Sequence, residues 1–319
     1  MKKFLLQLFI IIFTIIGASV FGLQAYRYHI NSPMADIEYK KAILRDSHNL
    51  TFTLEALRPI MGKEELAQFI TANDNNPGTY TPDDINIKSG KFRANLHTHT
   101  DNSDGITTVE QRMNEAEEYA KNNIKDGYML LAITDHNTVL GGKEIIKVLE
   151  KNKNKYKHLK IIPGIEIYTQ YTGKYSDTPT DIHVLVWCIN PYDDYLEKEF
   201  FKSNPNDKWN YKTRDFNQVI STMSNYGITG VAHPARYTTY LKEKKYPYIT
   251  EMLTKYKELN NGISFTEGYY QPYKQTTDGK LLGKEYDKYI KYINDEAKKL
   301  EIIRTGSTDA HGKTIFGYK

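Results

Sequence analysis

Ala94-Asn95-Leu96-His97-Thr98-His99, continued by Thr100-Asp101-Asn102-Ser103-Asp104-Gly105, joins a short apolar run to two imidazoles and then to a carboxylate in a turn. Alternate residues of an extended strand point to one side, so His97 and His99 can reach a common ion. The construction recurs along the chain. The run Tyr128 to Thr134 leads into Asp135-His136-Asn137, Lys160 to Ile167 contains Pro163-Gly164-Ile165-Glu166, and Ile182 to Cys188 is entered through Asp181-Ile182-His183. Thr229 to Ala232 is followed by His233-Pro234, Gly262 to Phe265 precedes Glu267, and Ile302 to Thr305 leads into Gly306-Ser307-Thr308-Asp309-Ala310-His311-Gly312. Amphipathic segments at Val109 to Asn122, Gly142 to Lys151, Asn217 to Tyr226 and Tyr286 to Leu300 lie between many of these runs. Seven strands with intervening helices predict an α/β fold built on a parallel, barrel-like sheet. The C-terminal strand ends of such a barrel meet at one face, so residues far apart in sequence share one site.

Six of the nine histidines, His97, His99, His136, His183, His233 and His311, fall at these strand ends, beside several carboxylates. Neutral imidazole with carboxylate suits Zn²⁺, Mn²⁺ or Fe²⁺. Nine such ligands exceed the capacity of one ion, so two or three divalent metal ions are expected. Cys188 is the only cysteine, which excludes an internal disulfide and a multi-cysteine zinc site.

The chain has 319 residues, enough for one large domain and an appendage. Its formal charge of +4 is small, and its lysines are interleaved with acidic residues. Stable nucleic-acid binding is therefore not expected, since no basic aromatic track is present. Lys2 and Lys3 precede the apolar run Phe4 to Leu23, about 20 residues and long enough as a helix to cross a bilayer core. Residues 1–25 are thus expected to form a signal anchor, or a signal peptide where cleaved. Gly22-Leu23-Gln24-Ala25 is a poor cleavage site, which favours the anchor. The basic residues would stay cytoplasmic, placing the catalytic domain outside the cytoplasm, membrane-anchored or secreted. Residues 26–90 carry helical patterning at Asp36 to Leu44 and Lys63 to Ile70 and read as a short helical stalk, leaving 91–319 for the main domain. The connections Tyr168 to Thr180 and Ala235 to Ile249 are long and rich in tyrosine, as substrate-contacting loops of barrels often are.

His97-x-His99 with Ser103-Asp104-Gly105, Thr134-Asp135-His136-Asn137, Pro163-Gly164-Ile165-Glu166-Ile167, Ala232-His233-Pro234 and Asp309-Ala310-His311-Gly312 together resemble the successive motifs of the PHP (polymerase and histidinol phosphatase) superfamily. The resemblance spans about residues 92 to 313 and implies a distorted (β/α)7 TIM-like barrel with a trinuclear metal centre. By that resemblance, His97, His99, Glu166 and Asp309 would hold one ion. Glu166 would bridge to a second ion held by His183 and His233, and Asp104, His136 and His311 would hold a third. Asp104 in Ser-Asp-Gly is similar to the branch containing nucleotide phosphoesterases and exonucleases.

The implied activity is hydrolysis of a phosphomonoester or phosphodiester, on a phosphorylated small molecule or polymer, by a water activated between cations. Arg236, three residues after His233, is expected to clamp the phosphate. Asp135 and Glu267 are the candidate leaving-group acids, with Asp135 alternatively orienting a ligand histidine. Hydrolysis of a non-phosphate ester or amide, and a membrane-tethered metal-binding module without catalysis, stand as alternatives.

Overall fold

The computed structural model describes residues 33–47, 53–80, 92–201, 213–270 and 284–315. Seven strands form the path of one nearly closed sheet: β1 (Ala94–Asn95), β2 (Met129–Ile133), β3 (Leu159–Tyr171), β4 (Thr180–Trp187), β6 (Ile228–Ala232), β7 (Phe265–Tyr270) and β8 (Ile303–Ser307). A further short strand, β5 (Arg214–Asp215), pairs with the outer part of β3. A parallel bridge between Thr98 and Ala310 brings β8 back to β1.

The alternation expected of strands buried on both faces is explicit. In β2, Leu130 and Ala132 point into the barrel beside Leu96, Ile162, Leu185 and Trp187. Met129, Leu131 and Ile133 face outward, where α3 (Val109–Asn123) and α4 (Leu140–Lys151) cover them. The α3 helix begins at a capping box, with Gln111 N donating to Thr108 Oγ1 and Thr108 N donating to Gln111 Oε1. Its apolar stripe of Val109, Met113, Ala116 and Ala120 is fully buried. On the other side of the sheet, α5 (Phe216–Met223), α6 (Lys245–Leu259) and α7 (Lys284–Lys299) supply a second outer core.

The sheet departs from the expected all-parallel barrel at one strand. β4 runs antiparallel to both neighbours, while β1, β2 and β3, and likewise β6, β7 and β8, are parallel. The reversal places the beginning of β4 on the rim where the other strands end, with His183 registered against Tyr168 of β3 and Ala232 of β6. His183 reaches the common face for that reason. β7 also lies later than Gly262 to Phe265, so Glu267 is inside the strand. The connection from Ala235 is largely helical, through a turn at Thr239–Lys244 and then α6.

The helices read as a stalk pack against the other end of the barrel. α1 (Pro33–Asp46) buries Ile43, and Tyr39 Oη donates to Ile189 O at 2.7 Å. α2 (Lys63–Ala72) sends Leu66 and Ile70 into the barrel interior with Met61 and Tyr80. Backbone hydrogen bonds join Ile161 N to Pro59 O and Met61 N to Ile161 O. Asp74 accepts from Arg304 N, Nε and Nη2 at 2.6, 3.0 and 2.7 Å, pinning the segment to the start of β8. Thus residues 53–80 cover the N-terminal strand ends, opposite the histidines.

The expected membrane anchor is not supported. No helix among the described residues is long and apolar enough to cross a membrane. The run Phe4 to Leu23, on which that placement rested, lies outside the described residues.

Candidate metal centre

Glu166 lies at the middle of the site, projecting from β3 into the cluster. Its Oε1 lies 2.8 Å from His183 Nδ1 and 2.9 Å from His233 Nε2. Its Oε2 lies 2.9, 3.1 and 3.0 Å from His97 Nε2, His99 Nε2 and His136 Nδ1. Asp309 Oδ1 is 3.1 Å from both His97 Nε2 and His99 Nε2. On the other side of His99, Asp104 Oδ1 lies 2.9 Å from His311 Nε2 and 3.6 Å from His136 Nε2. All nine expected ligands therefore converge.

Three groups have donor atoms close enough to share an ion: His97, His99, Glu166 and Asp309; His99, Asp104, His136 and His311; and His136, Glu166 and His183. The first agrees with the expected set. In the third, His136 stands with Glu166 and His183 where His233 was expected, although His233 Nε2 meets the same oxygen of Glu166 as His183.

The donor set fits divalent ions. Four atoms of the first group approach one another in pairs at 2.9–3.1 Å, and a tetrahedral ion with bonds of about 2.0–2.1 Å sets its ligands roughly 3.4 Å apart. Asp104 Oδ1, His136 Nδ1, Glu166 Oε2 and Asp309 Oδ1 are buried and make no hydrogen bond. Such atoms are costly to bury unless a cation satisfies them.

Charge supports the same fit. Burial works to raise the carboxyls of Glu166 and Asp309, but the surrounding imidazoles hold both well below the usual range. Asp104 is likewise lowered to about 2, with His311 foremost against its burial. Burial opposes protonation of His97 and His99, yet the carboxylates raise His97 well above its ordinary value and His99 to about 9. Burial wins at His233, lowered to about 4, and at His136, well below its ordinary value. Fixed anions thus converge where positive charge is the complement.

The local backbone is built for this convergence. Asn137, His233 and Asp309 have φ of 51°, 28° and 47°, left-handed values uncommon outside glycine, and all three lie in the turns that leave strands. Gly105 lets the loop double back onto His99, since a Cβ there would sit 2.6 Å from the His99 carbonyl carbon.

Asp135 and Glu267, the candidate leaving-group acids, both accept hydrogen bonds from the protein. Asp135 Oδ1 accepts from Thr100 N and Ser103 Oγ, and Oδ2 from Thr100 Oγ1, all at 2.7 Å. It anchors the loop that carries Asp104. Glu267 Oε1 meets His97 Nδ1 at 3.1 Å and accepts from Ser307 Oγ, while Oε2 accepts from His233 N at 2.7 Å. Every carboxylate oxygen of the pair is engaged by the protein, and both residues are buried. Arg236 does reach the cluster, where Nη1 donates to Asp309 Oδ2 at 2.9 Å and Tyr270 Oη at 3.1 Å.

Sequence reasoning missed several supports. Tyr270 Oη donates to Asp309 Oδ2 at 2.6 Å, and the Tyr168 ring lies 4.4 Å from His136 and 4.6 Å from His183. Tyr237 flanks His183 and His233 at 5.0 and 5.7 Å. The tyrosine-rich connections marked the regions of Tyr168 and Tyr237, but no motif pointed to Tyr270.

Residues 95–309 match the PHP domain. The chain belongs to the PHP family. With the three clusters, that membership supports a metal-dependent hydrolase. Among solved structures, the PHP chain is similar to a candidate metal-dependent phosphoesterase from Bifidobacterium adolescentis, at 14% identity and TM-score 0.47 over 70% of this chain and 89% of that one. It is also similar to an amidohydrolase from Chromobacterium violaceum with bound sulfate and no metal, at 14% identity and TM-score 0.46 over 69% and 88%. No curated protein matches the chain.

Proposed function

We propose that this PHP protein hydrolyses a phosphate ester, a phosphomonoester or phosphodiester of a small molecule or polymer. The observation that carries the proposal is Glu166, whose two oxygens each face a different set of imidazoles, as a carboxylate bridging two cations would. His97, His99, Glu166 and Asp309 would hold one ion, Glu166, His183 and His233 a second, and Asp104, His136 and His311 a third, with Mn²⁺, Fe²⁺ or Zn²⁺ as suitable metals. Bound there, such ions lower the pKa of a coordinated water and offset the negative charge of a phosphoryl group.

The chain's own residues then act as follows. Glu267, held by Ser307, receives His97 Nδ1 and so keeps Nε2 turned toward Glu166 and Asp309. Tyr270 and Arg236 hold the outer oxygen of Asp309, leaving Oδ1 directed at the imidazoles. Arg236, 27% exposed in its side chain while the histidines are buried, supplies a positive group at the edge of the cluster for a phosphate oxygen. The rings of Tyr168 and Tyr237 flank His183.

The test is hydrolysis of an aryl phosphate and a bis-aryl phosphate by the full chain loaded with Mn²⁺, Fe²⁺ or Zn²⁺, beside Asp309→Ala. Metal-dependent turnover that vanishes in the variant is expected, and the preferred compound separates monoester from diester chemistry. A fully metallated protein that leaves both compounds intact, and cleaves a carboxylic ester or amide instead, would overturn the phosphate assignment.

A further inference from the structure

Residues 308–315 follow β8 along its seam with β1 and carry Asp309 and His311. Few backbone bonds hold this seam, among them His99 N to Ala310 O at 2.9 Å and Ile106 N to His311 O at 3.0 Å. Asn95 of β1 bonds to Thr308 and Ile315 O, and side chains from α3 add to it. Arg112 is fully buried among the apolar residues of the inward stripe, between Val109, Met113 and Ala116. Its Nε donates to His99 O at 3.2 Å, and its Nη2 donates to Ala310 O at 3.2 Å and Gly312 O at 2.6 Å. Glu115, in the next turn, accepts from Ile315 N at 2.9 Å and lies 3.9 Å from Arg112 Nη1.

An apolar side chain would be the ordinary occupant of that stripe, since burying a charge is expensive unless it is well bonded. The guanidinium instead spends its planar fork on three carbonyls from two ligand-bearing segments. Those carbonyls belong to or neighbour His99 and His311, whose rings stack at 4.1 Å and 22°. We propose that Arg112 is a positioning residue for the Asp104, His136 and His311 group. By tying the backbone at His99 to that at Ala310 and Gly312, it sets the separation of the two segments and hence the placing of His311 opposite Asp104.

The proposal rests on the metal-centre reading above, and it makes a narrower claim. Arg112 hydrogen-bonds to backbone carbonyls rather than to ligand side chains; two of them, Ala310 O and Gly312 O, bracket His311, which belongs to this group alone, while the third is on His99, shared with the first group. Its loss therefore weakens one ion selectively. The loss is at least about tenfold in affinity, the scale of outer-shell changes at metal sites. A lysine keeps the charge but cannot span three carbonyls with a fork, so Arg112→Lys falls between the wild type and Arg112→Met.

The experiment measures bound metal per chain by plasma mass spectrometry after equilibrating the full chain against graded Mn²⁺. It compares wild type, Arg112→Met, Arg112→Lys and Val219→Ala, the last a buried truncation on the far side of the sheet that controls for lost stability. The expected result is one ion weakened in the Arg112 variants, with the others retained, and all retained in Val219→Ala. Wild-type titration curves for both Arg112 variants would overturn the proposal. So would a parallel weakening of every ion. Where Arg112→Met does not fold, Arg112→Lys decides by the same criteria. A wild-type protein that binds no Mn²⁺ at any concentration would overturn the metal-centre reading itself, and this proposal with it.

Discussion

Arg236 Nη1 lies 2.9 Å from Asp309 Oδ2, the carboxylate oxygen turned away from His97 and His99. The pair joins a carboxylate of the first group to a residue at the accessible edge of the cluster. Arg236→Ala removes a charge-assisted hydrogen bond worth about 1.5–3 kcal/mol. The expected consequence is a fall in kcat/KM of roughly 10–100-fold at about 1.4 kcal/mol per decade, with metal content largely retained. Steady-state kinetics beside metal analysis checks this, and unchanged kinetics would remove Arg236 from the site.

Glu166 meets five imidazoles through two oxygens, so its effects are not confined to one group. Glu166→Gln replaces one oxygen by an amide that cannot face a cation. More than one ion per chain is expected to be lost, with a drop in activity larger than the 10–100-fold of an outer-shell change. Retention of the full metal complement would contradict the bridging role.

Glu267→Gln tests the orienting contact to His97 Nδ1 at 3.1 Å. The shape of the side chain is preserved, but the charge that sets the imidazole is gone. Metal affinity is expected to weaken about 10–100-fold while the fold remains intact. If Glu267 were a leaving-group acid, activity would fall with metal affinity unchanged.

Chelation supplies a stability test. Anything that binds the folded state alone raises its stability by mass action. Removing metal with a chelator is expected to lower Tm in the wild type and to leave Tm of a multiply ligand-deficient variant, such as Glu166→Gln with Asp309→Ala, nearly unmoved. Calorimetry on the two proteins separates these outcomes.

The Asp74–Arg304 pair makes a prediction about acid. Burial tends to raise the Asp74 carboxyl, but hydrogen bonds and charge from Arg304 bring it below its ordinary value. A depressed folded pKa contributes stability that is present above the unfolded value, about 3.9, and lost as pH falls through the lower folded value. The contribution therefore disappears below about pH 4, and Arg304→Met should flatten this part of the curve. Tm measured from pH 6 to pH 2.5 in both proteins reads it directly, and parallel curves would exclude a role for the pair.

The candidate ligands could be picked out because they lie in or just after apolar runs that read as strands, and six of the nine histidines fall at such places. Local patterning also located the outer helices, since α3 and α4 bury residues at helical spacing. The direction of β4 was not legible. Apolar alternation reads the same in either direction, and only pairing with β3 and β6 makes that strand antiparallel. Nor could residues 53–80 be assigned to the base of the barrel, because a helix's apolar face does not name the surface that buries it.

Asp135 and Glu267 show the same limit at the scale of single side chains. A carboxylate beside a histidine motif is equally consistent with proton transfer and with support, and the choice depends on which donors surround its oxygens. The sequence by itself determined the chemistry on offer: imidazoles and carboxylates without cysteine, placed where strands end. Tertiary structure alone decided which oxygen of Glu166 faces which imidazole, which acids are spent on Thr100, Ser103, Ser307 and His233, and that a buried Arg112 ties the closing seam. The reason is physical: residue type and period are local properties of a chain, whereas hydrogen-bond partnership and charge complementarity arise only when distant segments are brought within about 3 Å.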